Sequence, residues 1–204
     1  SEISLMRIGV LASGRGSNLQ ALIKEWQEGR LAGDIVAVGS DNPQALALKR
    51  AEEAGIPHKG FPRSSYTSRQ EQEQAILNWL QEQKVELLVL AGFMRVLSEE
   101  FLREFQKPVL NIHPSLLPAF PGLDAQRQAL EYGVKVSGCT VHFVDEGLDS
   151  GPIILQEAVP VLPEDTEESL SNRILEVEHR LYPQAVNLVA SGKVVRKGRI
   201  VEIS

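Results

Sequence analysis

The 204-residue chain contains a single cysteine, Cys139, which rules out an internal disulfide and any multi-cysteine metal site and fits a reducing compartment. Long apolar runs are missing as well. The longest stretch of apolar residues and glycine, Leu87 to Met94, is far below the roughly 18 residues that a membrane-spanning helix needs. No signal-peptide pattern opens the sequence, so a cytoplasmic location is expected. Positive charge is in short supply: 21 Lys and Arg face 27 Asp and Glu, leaving a net charge of −6. No Lys/Arg cluster supplies the basic patch that a polyanion requires, so neither nucleic acid nor membrane is an expected partner. An anionic ligand must therefore be met by local groups. Internal repeats, low-complexity tracts and a Pro/Gly/Ser linker are absent, and the length suits one core, so a single domain over 1–204 is expected.

What is present is an alternation of strand-like and helical segments, the pattern of a parallel sheet flanked by helices. "LMRIGVLAS" (5–13) reads as a buried strand and "SNLQALIKEWQEG" (17–29) as a helix with Leu19, Leu22, Ile23 and Trp26 on one face. Ser17 and Gln20 form an S-x-x-Q capping pattern at its start. "IVAVGS" (35–40) is a second strand, Asn42-Pro43 opens a second helix that closes at Gly55, and a short strand spans 57–61. Ser68 and Glu71 cap a third helix. "VELLVLAG" (85–92) is rich in leucine and valine and is read as a central strand buried on both faces. Ser98 starts a short helix, 108–113 is the next strand, and "AQRQALEYG" is a helix. Segments 136–145 and 152–160 alternate like antiparallel partners, 166–191 is a last helix, and 194–203 resembles a hairpin. The fold class is α/β: a Rossmann-like open sheet, mostly parallel, with an antiparallel C-terminal extension and helices on both faces.

Three stretches carry chemistry-bearing residues. In "LASGRGSNLQ" (11–20), Gly14 and Gly16 permit a tight strand-to-helix turn, and the helix that follows offers unpaired N–H groups. The third glycine of the dinucleotide fingerprint is replaced by Leu19, and the Lys-Ser/Thr ending of a nucleotide-triphosphate loop is missing. A single phosphate suits this turn better than a dinucleotide, and a bare tight turn stays open as the alternative. In "VLNIHPSLLPAFPG" (109–122), Asn111 and His113 sit two apart at a strand end, so both project to the same side, where open α/β sheets bind ligands. An imidazole able to transfer a proton beside an amide N–H donor suits acyl transfer; a hydrogen-bonded structural histidine is the other reading. "DEGLDSGPI" (145–153) is an acidic turn, either solvated or supplying a carboxylate to the imidazole.

Taken in order, "SGRGSNLQAL", "LAGFMRVL", "NIHPSLLPAFPG", "GCTVHFVDEGLDSGPIILQ" and "EHRLYP" resemble the motifs of the glycinamide ribonucleotide formyltransferases, within the formyltetrahydrofolate-dependent superfamily, over residues 7 to 192. The resemblance implies transfer of a formyl group from 10-formyltetrahydrofolate, as co-substrate, to the amine of 5-phosphoribosylglycinamide in de novo purine biosynthesis, with no metal. It also implies roles by position. Asn111 donates to an oxyanion, His113 transfers protons, and Asp149 holds and charges the imidazole. Gly16, Ser17 and Asn18 take the acceptor phosphate, and Glu178, at the edge of a buried stripe of Leu170, Ile174, Val177 and Leu181, binds the acceptor. Arg69, Met94, Arg95, Val96 and Leu97, with Asp145, Glu146, Gly147 and Leu148, line the folate pocket. On this reading 1–100 is the phosphate-binding half and 101–204 the catalytic and folate-binding half of a monomer or homodimer.

Ala119, Asp124, Gln126 and Leu175 depart from residues found in some members, which reduces the side-chain help expected for the phosphate. Of the other histidines, His58 and His179 are expected to be peripheral, and His142 lies on a strand nearer the site. The rivals are another 10-formyltetrahydrofolate-using formyltransferase or a hydrolase, whose usual extra domains have no room in this chain, and a non-catalytic binding module, which has no need of Asn111, His113 and Asp149 together.

Overall fold

A computed structural model describes residues 5–204; residues 1–4 of the expected 1–204 domain lie outside them. The chain divides into two compact units, Ser1–Leu110 and Asn111–Ser204. The first contains β1 (Met6–Leu11), α1 (Ser17–Gln27), β2 (Gly33–Ser40), α2 (Leu46–Glu53), β3 (His58–Gly60), α3 (Arg69–Glu82), β4 (Leu87–Leu90), α4 (Glu99–Phe105) and the start of β5 (Val109–His113). Strand β1 pairs in parallel with β2 on one side and β4 on the other, β3 extends the β2 side, and Val109 and Leu110 pair in parallel with β4. Ile8, Val10, Leu11, Leu87, Leu88 and Val89 are fully buried, as central parallel strands covered on both faces demand. Close approach also dictates Gly33 in β2, where a Cβ would come within 2.8 Å of the Met6 carbonyl oxygen of the neighbouring strand.

Helix starts in this unit follow local chemistry, with two departures from expectation. Ser68 accepts the Glu71 N–H at 3.1 Å and Ser98 accepts the Phe101 N–H at 3.0 Å, so both serve as caps as expected. Ser17 does not: the residue before α1 is Gly16, in a left-handed conformation with φ 67°, and no side chain caps the helix. Gln20, expected to close the capping box, instead accepts from Arg50. Asn42-Pro43 forms a turn of its own, in which Asn42 Oδ1 accepts the Gln44 N–H at 3.0 Å, and α2 begins only at Leu46. An Asn side chain that mimics a backbone turn competes with helix initiation, and here the turn wins.

The second unit holds the rest of β5, α5 (Ala125–Tyr132), β6 (Val136–Phe143), β7 (Ile153–Pro160), α6 (Glu167–Ala190), and a hairpin of β8 (Val194–Lys197) and β9 (Ile200–Ile203). Strands β6 and β7 are antiparallel, with Thr140 opposite Gln156 and a bulge between Val141 and His142. Helix α6 starts with a reciprocal box in which Thr166 accepts from Ser169 N–H and Ser169 Oγ accepts from Thr166 N–H. Strand β5 belongs to both units, and the sheet order is β3-β2-β1-β4-β5-β6-β7, with β8-β9 as a separate two-stranded sheet. The expected fold, a mostly parallel Rossmann-like sheet with an antiparallel C-terminal extension, is the one observed.

Candidate active site

In the first unit the glycine turn leaves β1 and enters α1. At Gly16 a Cβ would lie 2.9 Å from the Ala47 Cβ, so the turn is pressed against the start of α2 and only glycine fits both the space and the φ. The Gly14 carbonyl accepts the Ala47 N–H at 3.2 Å and the Arg15 carbonyl accepts Arg50 Nε at 2.7 Å, which fixes the turn from the α2 side. The outcome is a helix start with glycine at its cap position, and with Ser17 half-buried and Asn18 buried in its first turn. Such a start, at the carboxyl end of a parallel strand, carries partial positive charge suited to an anion.

The turn after β4 carries the other expected residues of this unit. The Met94 N–H donates to Ser13 Oγ at 2.8 Å, which ties this turn to the glycine turn. Met94 and Val96 are 72% and 60% exposed, whereas Leu97 is buried. Arg69 Nη2 donates to the Val96 carbonyl at 2.7 Å, and Arg95 donates to Gln72 Oε1 at 2.6 Å. Arg69, Val96 and Leu97 line one cleft of about 630 Å³ with Gln70, Glu73 and Arg103. Met94 and Arg95 are not among its lining residues.

In the second unit Asn111 and His113 project from one side of β5, half-buried and buried respectively. The Asn111 side chain makes no hydrogen bond among the described residues. His113 is held at one ring nitrogen, where Nε2 donates to the Phe120 carbonyl at 2.8 Å, while Nδ1 faces Asp149 Oδ2 at 3.5 Å. That same carboxylate oxygen accepts the Gly122 N–H at 2.8 Å. Phe120 and Asp149, the two partners of the ring, both have left-handed backbone with φ 49°. Non-glycine residues pay roughly 1–2 kcal/mol for that conformation, so the surrounding turns must enforce it.

The acidic turn is built to hold Asp149. Asp145 Oδ1 accepts the Gly147 N–H at 2.9 Å and the Ser150 hydroxyl at 2.8 Å, closing the loop on itself. Glu146 and Leu148 stay exposed. At Gly151 an added Cβ would lie 1.7 Å from the Phe143 carbonyl oxygen. The C-terminal hairpin braces the same turn: Arg199 donates to the Ser150 carbonyl, and the Arg196 guanidinium lies 4.5 Å from the centre of the Phe143 ring.

Glu178 differs from expectation. It lies within the buried row of α6, with Leu170, Ile174, Leu181 and Tyr182, while Val177 is only half-buried. The i, i+4 spacing from 170 through 174 to 178 carries the row straight through the glutamate. His142 is buried, donates Nδ1–H to the Phe143 carbonyl at 2.8 Å, and has no hydrogen-bond partner at Nε2. Burial pushes its pKa down, against the opposing pull of the Phe143 hydrogen bond and of Asp149. Cys139 is buried in the core of β6, and desolvation, reinforced by Glu178 and Glu157, pushes its thiol up to about 12. Among the described residues no group of three or more His, Cys, Asp and Glu is placed to hold a metal ion, and no helix is long and apolar enough to cross a membrane.

Residue patterns did not reveal the Phe120 carbonyl or the Gly122 N–H, because both act through the backbone. The glycine in "FPG" is the one trace of the latter in the sequence.

Residues 6–186 match the model of the formyl transferase family. The chain is 50% identical over 188 residues to the trifunctional purine biosynthetic protein adenosine-3 of Drosophila melanogaster, covering 91% of this chain but only 14% of that much longer protein. It is 43% identical to the phosphoribosylglycinamide formyltransferase of Bacillus subtilis, over 89% of this chain and 93% of that one. Among solved structures, glycinamide ribonucleotide transformylase 1 from Symbiobacterium toebii superposes with a TM-score of 0.95 at 53% identity, covering 98% of this chain and 94% of the other.

Proposed function

The chain belongs to the formyl transferase family, and on that footing we propose that it transfers the formyl group of 10-formyltetrahydrofolate to the amine of 5-phosphoribosylglycinamide, giving formylglycinamide ribonucleotide and tetrahydrofolate in de novo purine biosynthesis. The observation that carries the reading is the His113–Asp149 pair, with Asn111 on the same side of the same strand. Acyl transfer to an amine needs a group that takes a proton from the attacking nitrogen, a charge that tolerates the resulting cation, and a donor for the oxyanion.

The three side chains divide this work. With Nε2–H tied to the Phe120 carbonyl, the neutral ring of His113 keeps its lone pair on Nδ1, which makes Nδ1 the basic nitrogen. The substrate amine attacks the formyl carbon, a C–N bond forms, and the carbonyl oxygen becomes an oxyanion that the Asn111 amide N–H stabilises. The amine proton passes to Nδ1, where the Asp149 carboxylate offsets the imidazolium charge. Collapse of the intermediate breaks the bond from the formyl carbon to N10, and the proton is returned to that nitrogen. Holding the reactants in attacking geometry supplies much of the remaining acceleration, since effective molarities of about 10⁵ M and above are available to well-oriented pairs.

Binding is assigned by unit. The start of α1, with Gly16, Ser17 and Asn18, takes the phosphate, because a helix N-terminus that follows a glycine turn carries partial positive charge. Glu178 binds the acceptor. Arg69, Met94, Arg95, Val96 and Leu97 contact the folate, and so does the 145–148 turn. The reaction needs no metal, nucleic acid or membrane and belongs in the cytoplasm, carried out by one formyltransferase domain as a monomer or homodimer.

The experiment is to supply 10-formyltetrahydrofolate with glycinamide ribonucleotide, with initiator methionyl-tRNA, or with water alone, and to identify the product. Formylglycinamide ribonucleotide is expected. Formylated tRNA, or free formate at the same rate with and without the nucleotide, rejects the assignment.

A further inference from the structure

The "NIHPSLLPAFPG" and "GCTVHFVDEGLDSGPIILQ" motifs contain polar residues that the mechanism above leaves unused: Ser115, Thr140 and Gln156. All three belong to one network. Ser115 and Thr140 are fully buried, and Gln156 faces Thr140 across the β6–β7 pair. The Thr140 hydroxyl uses its whole hydrogen-bonding capacity. It donates to the Ser115 carbonyl at 2.7 Å, and it accepts the Leu117 N–H at 3.1 Å and Gln156 Nε2–H at 3.0 Å. Gln156 Nε2 also donates to the Leu117 carbonyl at 2.9 Å. Two facing side chains of a rigid strand pair thus grip three backbone groups between Ser115 and Leu117. Ser115 then carries the hold forward. Its hydroxyl donates to the Ala119 carbonyl at 2.6 Å and reaches the Phe120 carbonyl at 3.3 Å, while its N–H donates to the His113 carbonyl at 2.9 Å. The Phe120 carbonyl is the group that holds His113 Nε2.

We propose that Thr140 and Gln156 are positioning residues for His113: acting through Ser115, they hold the Phe120 carbonyl against Nε2, which fixes the proton there and leaves Nδ1 as the nitrogen that faces Asp149. The proposal rests on the reading of His113 as the proton-transferring residue. Physically the device resembles the outer partners that orient ligating or catalytic histidines elsewhere, with a backbone carbonyl choosing the tautomer. Its unusual element is that the carbonyl comes from a left-handed residue, Phe120, whose orientation the chain does not favour on its own. An external hold is therefore required, and the buried hydroxyls supply it.

The test compares Thr140→Val, Thr140→Ser and Gln156→Met in the full chain. Valine keeps the shape of threonine and removes the hydroxyl. Imidazole ¹⁵N spectra are recorded on the alkaline plateau of a pH series, with the His113 signals assigned by their loss in His113→Gln. Wild type and Thr140→Ser are expected to show His113 with its proton on Nε2. Thr140→Val is expected to show a mixture of tautomers, with kcat down about ten- to hundredfold and KM for either substrate within about twofold. An unchanged His113 signal in a folded Thr140→Val protein overturns the proposal. Should that variant fail to fold, Gln156→Met, which leaves Thr140's bonds to Ser115 and Leu117 in place, decides in the same way: a mixed tautomer supports the hold, and an unaltered one overturns it. The spectra need no substrate, so they answer independently of which formyl acceptor the enzyme uses.

Discussion

The carboxylate of Asp149 and the imidazole of His113 face each other across 3.5 Å, through the ring nitrogen that the Phe120 carbonyl leaves free. This distance is too long for a good hydrogen bond and short enough for strong charge compensation. Under the proposed mechanism, the carboxylate would stabilise the imidazolium at the moment it forms.

Asp149→Asn keeps the shape and the acceptor for the Gly122 N–H but removes the negative charge. We expect kcat to fall by about 10²-fold or more with KM for either substrate little changed, because the loss falls on the charged intermediate. Steady-state kinetics with both substrates varied check this. Turnover equal to wild type would remove Asp149 from the mechanism.

His113→Ala deletes the imidazole to which the proposed mechanism gives the proton transfer. General acid–base residues contribute about 10²–10⁴-fold, and a drop in kcat of that size is expected, with near-native affinity for 10-formyltetrahydrofolate by titration. A variant that binds the folate and turns over normally would exclude the assigned role.

Gly16→Ala places a methyl group against Ala47 and forces an L-residue into φ 67°. A loss of about 1–2 kcal/mol in denaturant unfolding is expected. KM for the phosphate-bearing substrate should rise well above wild type while KM for the folate stays near it. Equal effects on both would argue that the turn has no phosphate role.

The acid side of the stability curve has an identifiable contributor. Arg173 grips Asp165 with two nitrogens, at 2.8 and 2.9 Å, and together with the Leu162 N–H and the Ser169 hydroxyl it holds the Asp165 carboxyl well below the usual carboxylate range. A depressed folded pKa stabilises above the unfolded value and loses that contribution as pH falls through the folded one. Asp165→Asn should therefore lower the melting temperature at pH 7, and the difference from wild type should shrink towards pH 2. A constant difference at all pH values would contradict the linkage.

Burial raises the Cys139 thiol to about 12, so at pH 8 it stays protonated. A thiol-reactive reagent should leave the folded protein unmodified and label one site per chain after denaturation. Labelling of the native protein at the rate of a free thiol would place Cys139 outside the core.

Much of the fold was legible because its cues are local. Apolar-rich stretches marked β1, β2 and β4, period-2 alternation marked β6 and β7, and Ser68 and Ser98 marked helix starts that the structure contains. The spacing of Asn111 and His113 put both on one side of β5 without any knowledge of the sheet. What stayed hidden depends on partners distant in sequence or on the backbone. The Asp149–His113 approach spans 36 positions, and spacing alone cannot bring them together. The Phe120 carbonyl carries no side-chain signature, and Thr140 and Gln156 read as ordinary strand residues until their shared partners in the proline loop are seen. Ser17 misled for a related reason: a capping motif describes what a side chain can do, and the left-handed Gly16 took the cap position one residue earlier.

The glycine at position 151, with a backbone oxygen sitting where its side chain would begin, has a practical meaning for anyone recoding this chain. A saturation library there should return a single survivor. Any side chain there must displace the Phe143 backbone, whichever substrate the protein handles.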